Sequence, residues 1–145
     1  MNLSTKGRYG VRFMLDLALN SQDQPVFLKD IAQRQEISEK YLWHLVDLLK
    51  NAGLVNSLRG AHGGYVLAKP AEEISLRDIV TVLEGDLCLV GCVNNPAVCD
   101  RAGLCVMRDI WKETNDVIYS TLESFSLKDI VERQRDKIGA AGYAI

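Results

Sequence analysis

DIAQRQEISEKYLWHLVDLLKNAGLVNSLRGAHGGYVLAKP, residues 30–70, decides the fold. From Glu39 to about Asn51, Leu42, Leu45, Val46 and Leu49 recur at the i, i+3, i+4, i+7 spacing of a helix with one buried stripe. Ser38 stands just before it, where a hydroxyl accepts from a free helical N–H. Gly53 lies just past its end, where a left-handed residue is expected. A shorter helix, near Leu28 to Gln35, precedes it. Two helices joined by a tight turn, the second longer, make a helix-turn-helix. Two β-prone runs then flank GAHGG, residues 60–64, which predicts a hairpin with a glycine-rich tip. A hairpin following a helix-turn-helix is the order of a winged helix, and Pro70 closes the unit.

Upstream, residues 5–20 read as a helix, with Val11, Met14, Leu15 and Ala18 in register and Phe13 and Leu17 widening the stripe. Ser4 or Thr5 caps it. Gly7 and Gly10 each cost a helix roughly 1 kcal/mol against Ala, so they point to another element approaching closely. SQDQP, residues 21–25, is a loop. Downstream, Ser75 caps a short helix that stops near Gly85. Residues 86–105 have the glycine, asparagine and proline of an irregular loop. The longest helix runs from about Leu104 to Phe125. Met107, Ile110, Trp111, Thr114, Ile118, Thr121 and Phe125 line one face, with Val106, Val117 and Leu122 partly off it. A helix apolar over more than one stripe needs two packing partners, here its own domain and a second copy of the chain. Ser126 caps a last short helix, SLKDIVERQ, and the tail GAAGYAI reads as loosely held. The expected fold is mainly α with a small β-hairpin wing. Residues 1–85 form a winged helix-turn-helix, 86–105 a cysteine-rich loop, and 106–145 a dimerisation helix with a short C-terminal helix.

The 145 residues carry a net charge of −2, unevenly spread. Residues 1–70 hold nine Lys/Arg against six Asp/Glu, and residues 71–145 hold eight against thirteen. The basic half favours an anionic partner. MNLSTKGRYGVRF lacks the apolar run and small-residue cleavage site of a signal peptide, and no apolar stretch approaches the ~18 residues of a membrane span. A cytoplasmic location is expected, where clustered cysteines mean metal or redox chemistry more often than disulfides.

The helix at 39–51 presents Glu39, Lys40, Trp43, His44, Asp47 and Lys50 on its polar side. A tryptophan there either packs under a neighbouring element or belongs to a face that enters a DNA major groove. In the second case Ser38, Tyr41, Trp43 and His44 lie near bases and phosphates. Arg59, beside Gly60 and Gly63, suits entry into a minor groove, where the glycines let backbone approach phosphate. No Gly-Lys-Ser/Thr follows the glycines, so a nucleotide-binding loop is not indicated. Lys6, Lys40 and His62 complete the candidate DNA surface. His44 and His62 are the only histidines, which leaves few candidates for general base chemistry and argues against an enzyme or electron carrier.

CLVGCVNNPAVCDRAGLC, residues 88–105, holds all four cysteines, spaced C-x3-C-x6-C-x5-C. Structural zinc sites use paired knuckles of two to four intervening residues. Cys88 and Cys92 form one such pair, but Cys99 and Cys105 are too far apart for the second, and no histidine follows His62. Wide spacing suits an object with several metal atoms, such as an iron–sulfur cluster. A thiol–disulfide switch and simple apolar burial are the other readings.

LSTKGRYGVRFMLDLAL, DIAQRQEISEKYL and above all SLRGAHGGYVLAKP, with three cysteines before the long helix, resemble the iron–sulfur cluster regulators, small bacterial winged-helix transcription factors. The resemblance runs from Met1 to about Val131. It implies a homodimer bound to double-stranded DNA at a near-palindromic operator, with repression or activation left open. It implies a cluster, 2Fe–2S in type, on Cys92, Cys99 and Cys105. It also implies minor-groove reading by Arg59 and major-groove reading by the start of the 39–51 helix. Better-known relatives carry Glu and Gln where Trp43 and His44 stand, so the operator does not carry over. The family's fourth ligand is often a His three residues past the last cysteine, where this chain has Arg108. Cys88, Asp86, Asp100, a partner-subunit residue or a small exogenous ligand remain for that place. Relatives that control cysteine metabolism respond to metabolites and, as the resemblance has it, lack the cysteine trio. For such a regulator the cysteines would be incidental.

Overall fold

The computed structural model describes residues 2–143. In chain order it has α1 (Thr5–Asn20), α2 (Leu28–Gln35), α3 (Glu39–Asn51), β1 (Val55–Leu58), β2 (Gly64–Leu67), α4 (Leu76–Glu84), α5 (Gly91–Asn94), α6 (Val106–Ser124) and α7 (Leu127–Tyr143). Four serines start helices, Ser126 through a reciprocal pair of bonds with Asp129, both at 3.0 Å. Ser4, rather than Thr5, accepts the Gly7 N–H at 3.2 Å, Ser38 accepts that of Tyr41 at 3.1 Å, and Ser75 forms a reciprocal capping box with Asp78.

The turn between α2 and α3 is set by Glu36, which is left-handed at φ 55°. Its N–H reaches the Gln33 carbonyl and that of Ile37 reaches Ala32, at 3.4 and 3.1 Å. Helix α3 closes in the same pattern: the N–H groups of Gly53 (φ 77°) and Leu54 reach the Lys50 and Leu49 carbonyls, both at 3.0 Å. Each closure drops an apolar residue, Ile37 or Leu54, into the core.

Strands β1 and β2 pair antiparallel, Val55 opposite Leu67 and Leu58 opposite Gly64. The hairpin is pinned to the segment before α2 by two bonds between Val26 and Tyr65, at 2.9 and 2.8 Å. Gly64 permits this: a Cβ there would lie 2.7 Å from the Val26 carbonyl oxygen.

Helix α1 packs against α4, α7, α2, α3 and β2. A Cβ added at Gly10 would lie 2.0 Å from Leu83 Cδ1, and one at Gly7 2.2 Å from Glu84 Oε1. The close approach expected of these glycines is therefore made by α4. Glu84 also takes the Ser4 N–H at 3.1 Å and the Ser4 hydroxyl. On the other flank, buried Asp16 accepts from Arg34 at 2.6 Å, from Gln35 at 2.9 Å and from Asn20 at 3.2 Å, tying α1 to the end of α2. Phe13, Met14, Leu17, Ile31, Leu42 and Leu127 are among the fully buried core.

The chain after α6 returns to this core. Leu127 N–H donates to Ile74 at 2.7 Å, Leu76 N–H to Phe125 at 2.8 Å, and Leu127 and Val131 are buried. Helix α7 does not stop near Gln134, as expected, but continues to Tyr143. Once several turns are nucleated, Ala140 and Ala141 propagate the helix despite Gly139. The tail read as loosely held is thus helical through Tyr143, while Ala144 and Ile145 lie outside the described residues. The cysteine loop is also less irregular than expected. It contains α5 and a 3-10 turn at Pro96–Val98, capped by Asn95, whose side chain accepts the Ala97 N–H at 3.2 Å.

Helix α6 turns Asn115, Ile118, Tyr119 and Leu122 towards its own chain and leaves Val106, Met107, Ile110, Trp111 and Val117 exposed. Among the described residues, no helix is long and apolar enough to cross a membrane.

Gly10→Ala tests the α1–α4 contact. Overpacking a filled core costs about 1–3 kcal/mol, and the helix-propensity gain offsets at most about 1 kcal/mol. Urea denaturation should show a net loss of stability of roughly 1–2 kcal/mol.

Candidate nucleic-acid interface and cysteine segment

Burial of Leu42, Leu45, Val46 and Leu49 fixes the rotation of α3 and turns Lys40, Trp43 and His44 to solvent. Trp43 is 53% exposed. The alternative that it packs under a neighbouring element therefore does not hold within the chain. Ser38 spends an acceptor lone pair on its cap, and its O–H proton remains free to donate to a phosphate. Tyr41 is half-buried, edge-on to Tyr9 at 5.8 Å between ring centroids. The Arg12 guanidinium lies 5.3 Å from the Tyr9 ring centre. Lys6 is exposed in the first turn of α1.

At the wing tip Arg59, Gly60 and His62 are exposed, with Gly60 at φ 104°. Gly63 differs: it is buried, its N–H donates to the Gly60 carbonyl at 3.0 Å, and a Cβ there would meet the Leu58 carbonyl oxygen at 2.3 Å. It shapes the tip from inside. Tyr65 at the wing base has its pKa raised above the ordinary tyrosine value, by burial first and then by Asp47. The structure also places Gln24, Pro25 and Phe27 around a shallow cavity beside Ala61, His62 and Gly63. Sequence reasoning missed these residues because only the Val26–Tyr65 pairing brings them to the wing.

The cysteine segment is fastened to α6 at two points. Leu87 N–H donates to the Tyr119 hydroxyl at 2.7 Å. Arg108 donates through Nε to the Cys92 carbonyl at 2.8 Å and through Nη2 to that of Val93 at 3.3 Å. Cys88 donates its thiol to the Val90 carbonyl at 2.8 Å. Cys92 lies in α5, Cys99 follows the 3-10 turn, and Cys105 stands at the N-cap position of α6 without a side-chain capping bond. All four cysteines are free thiols; Cys99 is exposed and the others are half-buried. Asp86 and Asp100 are exposed.

Among the described residues, no three His, Cys, Asp or Glu side chains converge as a single metal ion requires. A polynuclear cluster takes its thiolates on different metal atoms, so its donors need not meet at one point. Free thiols on two short elements and at the start of α6 fit that donor chemistry. Arg108 is engaged with backbone carbonyls and, as a permanent cation, offers no lone pair to iron.

A helix-turn-helix with a bare outward face, beside a hairpin anchored to the same core, defines a winged-helix DNA-binding regulator. The chain belongs to the Rrf2 family, described as iron-dependent transcriptional regulators, whose sequence model matches residues 3–133. It is 45% identical over 131 residues to protein rrf2 of Nitratidesulfovibrio vulgaris, spanning 90% of this chain and 87% of that one. Among solved structures it is similar to CymR, described as the global cysteine regulator of B. subtilis. That likeness has 40% identity and a TM-score of 0.77, and covers 92% of this chain and 98% of the other. It is equally similar to T. potens IscR, at 40% identity and a TM-score of 0.76, covering 92% and 88%. The family, the mainly helical fold with its two-stranded wing, and the expectation of a regulator rather than an enzyme all hold.

The exposure of Trp43 separates surface from core on one helix. Trp43→Ala should change unfolding free energy by less than about 0.5 kcal/mol. Leu42→Ala, one residue away, should cost about 2–5 kcal/mol. Chemical denaturation of both variants checks the pair.

Proposed function

We propose that the chain is a homodimeric regulator that binds double-stranded DNA at a near-palindromic operator and is tuned by an iron–sulfur cluster, 2Fe–2S in type. The start of α3, with Ser38, Lys40, Tyr41, Trp43 and His44, faces a major groove, and Arg59, Gly60 and His62 of the wing face a minor groove. Lys6 adds a phosphate contact, and Gly63 holds the shape of the tip. The exposed apolar ridge of α6 packs against its counterpart in a second copy. Residues 1–85 are then the reading head, 86–105 the sensing segment, and 106–145 the dimer element, in a cytoplasmic protein.

Cys92, Cys99 and Cys105 hold the cluster, with Cys88, Asp86, Asp100, a partner residue or a small ligand in the fourth place. When bound, the cluster supplies thiolate–iron cross-links and a centre sensitive to oxidant, nitric oxide or iron supply. The observation that carries this reading is that Cys105 occupies the N-cap position of α6 and the Cys92 carbonyl is bonded to Arg108 of the same helix. Any change in the cysteine segment therefore bears on the helix whose apolar side stands open. Ordering or releasing residues 86–105 moves one reading head relative to the other, an order–disorder switch.

Likeness to CymR supports a second reading, in which the chain responds to a metabolite of cysteine chemistry and the thiols are incidental. Oxygen-free purification separates the two. A brown protein with iron and acid-labile sulfide supports the cluster, and a colourless one supports the metabolite. Replacement of Cys92, Cys99 or Cys105 by Ala should remove bound iron; iron retained in all three variants would overturn the ligand set. Iron kept in Cys88→Ala excludes Cys88 as the fourth ligand. On the DNA side, Arg59→Ala should weaken operator binding by roughly 1–3 kcal/mol if it reads the groove, measured by titration at fixed salt.

A further inference from the structure

Helix α5 is a single turn, and one turn does not hold itself together in water. Its own backbone supplies little: Asn95 N–H bonds to the Gly91 carbonyl at 3.1 Å and Val93 N–H to that of Val90 at 3.2 Å. The next two carbonyls, of Cys92 and Val93, are both taken by the guanidinium of Arg108. Arg108 is itself fixed in the first turn of α6, its N–H donating to the Cys105 carbonyl at 3.2 Å. One residue thus joins the backbones of Cys92 and Cys105, its side chain holding the first and its own N–H the second. The side-chain bonds are charge-assisted ones that a planar fork makes and an ammonium cannot duplicate.

We propose that Arg108 is a positioning residue of the cysteine site. It latches α5 onto α6, setting Cys92 against Cys105, and it places a permanent positive charge beside the thiolates. The latch stands on the hydrogen bonds alone; the role of the charge rests on the cluster reading above. Reduction of a thiolate-bound cluster adds one negative charge to it. A guanidinium bonded to the backbone of a ligand residue favours that state and raises the reduction potential. Arg108 is half-buried, so solvent screens this effect only in part. The same group that cannot donate electrons to iron thereby acts on the site through geometry and field.

The experiment compares the full chain with Arg108→Gln and Arg108→Lys, all prepared without oxygen. Glutamine is a good helix former at a half-exposed position, so the fold is kept. In metal-free protein, hydrogen–deuterium exchange over residues 91–95 should quicken roughly ten- to a hundredfold in Arg108→Gln, the equivalent of one charged hydrogen bond. It should quicken in Arg108→Lys as well, since lysine lacks the fork. In loaded protein, potentiometric titration with dithionite should give Arg108→Gln a lower midpoint potential than wild type, and Arg108→Lys a value close to wild type. Unchanged exchange in Arg108→Gln overturns the latch, and an unchanged potential in the loaded variant overturns the role of the charge. If wild-type protein holds neither iron nor sulfide, the cluster reading fails and takes the charge role with it. The exchange arm then decides the latch alone.

Discussion

Helices α1 and α4 meet at a distance that a single methyl group would forbid. Gly10 against Leu83 and Gly7 against Glu84 leave no room for a Cβ, and the rest of the winged helix is built around that contact. The glycines weaken α1 locally, by about 1 kcal/mol each. The close packing they permit buries Leu83 and brings Glu84 within reach of Ser4, so the residue that caps α1 is also bonded to α4. With α1 held there, its other faces receive α2, α3, β2 and α7. The outward direction of α3 follows, because its four buried residues have only one core to enter.

The turn between α2 and α3 and the end of α3 each depend on one left-handed residue, and the two differ in how well they can be read. Gly53 after a periodic run is a recognised stop signal. Glu36 is not, because the left-handed conformation costs a side-chain-bearing residue about 1–2 kcal/mol. The cost is borne because Ile37 is thereby buried, worth about 1.5–3 kcal/mol by the transfer scale. Position 36 is thus settled by a tertiary gain that no local propensity contains. The wing repeats the lesson. Its glycine-rich tip was legible, but its attachment to Val26, and with it Phe27 beside His62, depends on a pairing across thirty-nine residues of chain.

For α6 the pattern announced two packing partners without saying which side faced home. The structure turns inward a set that is not the most apolar. Asn115 is 4% exposed, Tyr119 accepts the Leu87 N–H, and Arg77 lies 4.5 Å from the Tyr119 ring centre. Met107, Ile110, Trp111 and Val117 are left outside. A ranking by hydrophobicity would have reversed the helix, because it takes no account of what Tyr119 gains from Leu87 and Arg77 in a half-buried setting; Asn115 is buried with its Oδ1 unpartnered among the described residues. The cysteines were visible by composition, and Arg108 by its departure from the family's pattern. That Arg108 bonds the carbonyl of Cys92 was not, since it requires α5 to exist and to lie against α6.

The chain is about as similar to IscR as to CymR, the cysteine regulator, at 40% identity and nearly the same TM-score, so the signal lies in the site that the shared fold carries. The architecture does supply a route. The segment between α4 and α6 continues directly from α4, and Leu87 and Arg108 fasten it to α6. A ligand that reshapes residues 86–105 therefore acts between α4 and α6. What selects the signal is the chemistry of side chains on that short bridge. Here the bridge offers unpaired thiols on successive elements, held to the base of α6 by a cation. That donor set is the kind a thiophilic inorganic centre uses, and a cavity lined by Asp100, Arg101, Leu104, Cys105, Val106 and Met107 opens beside one of the thiols.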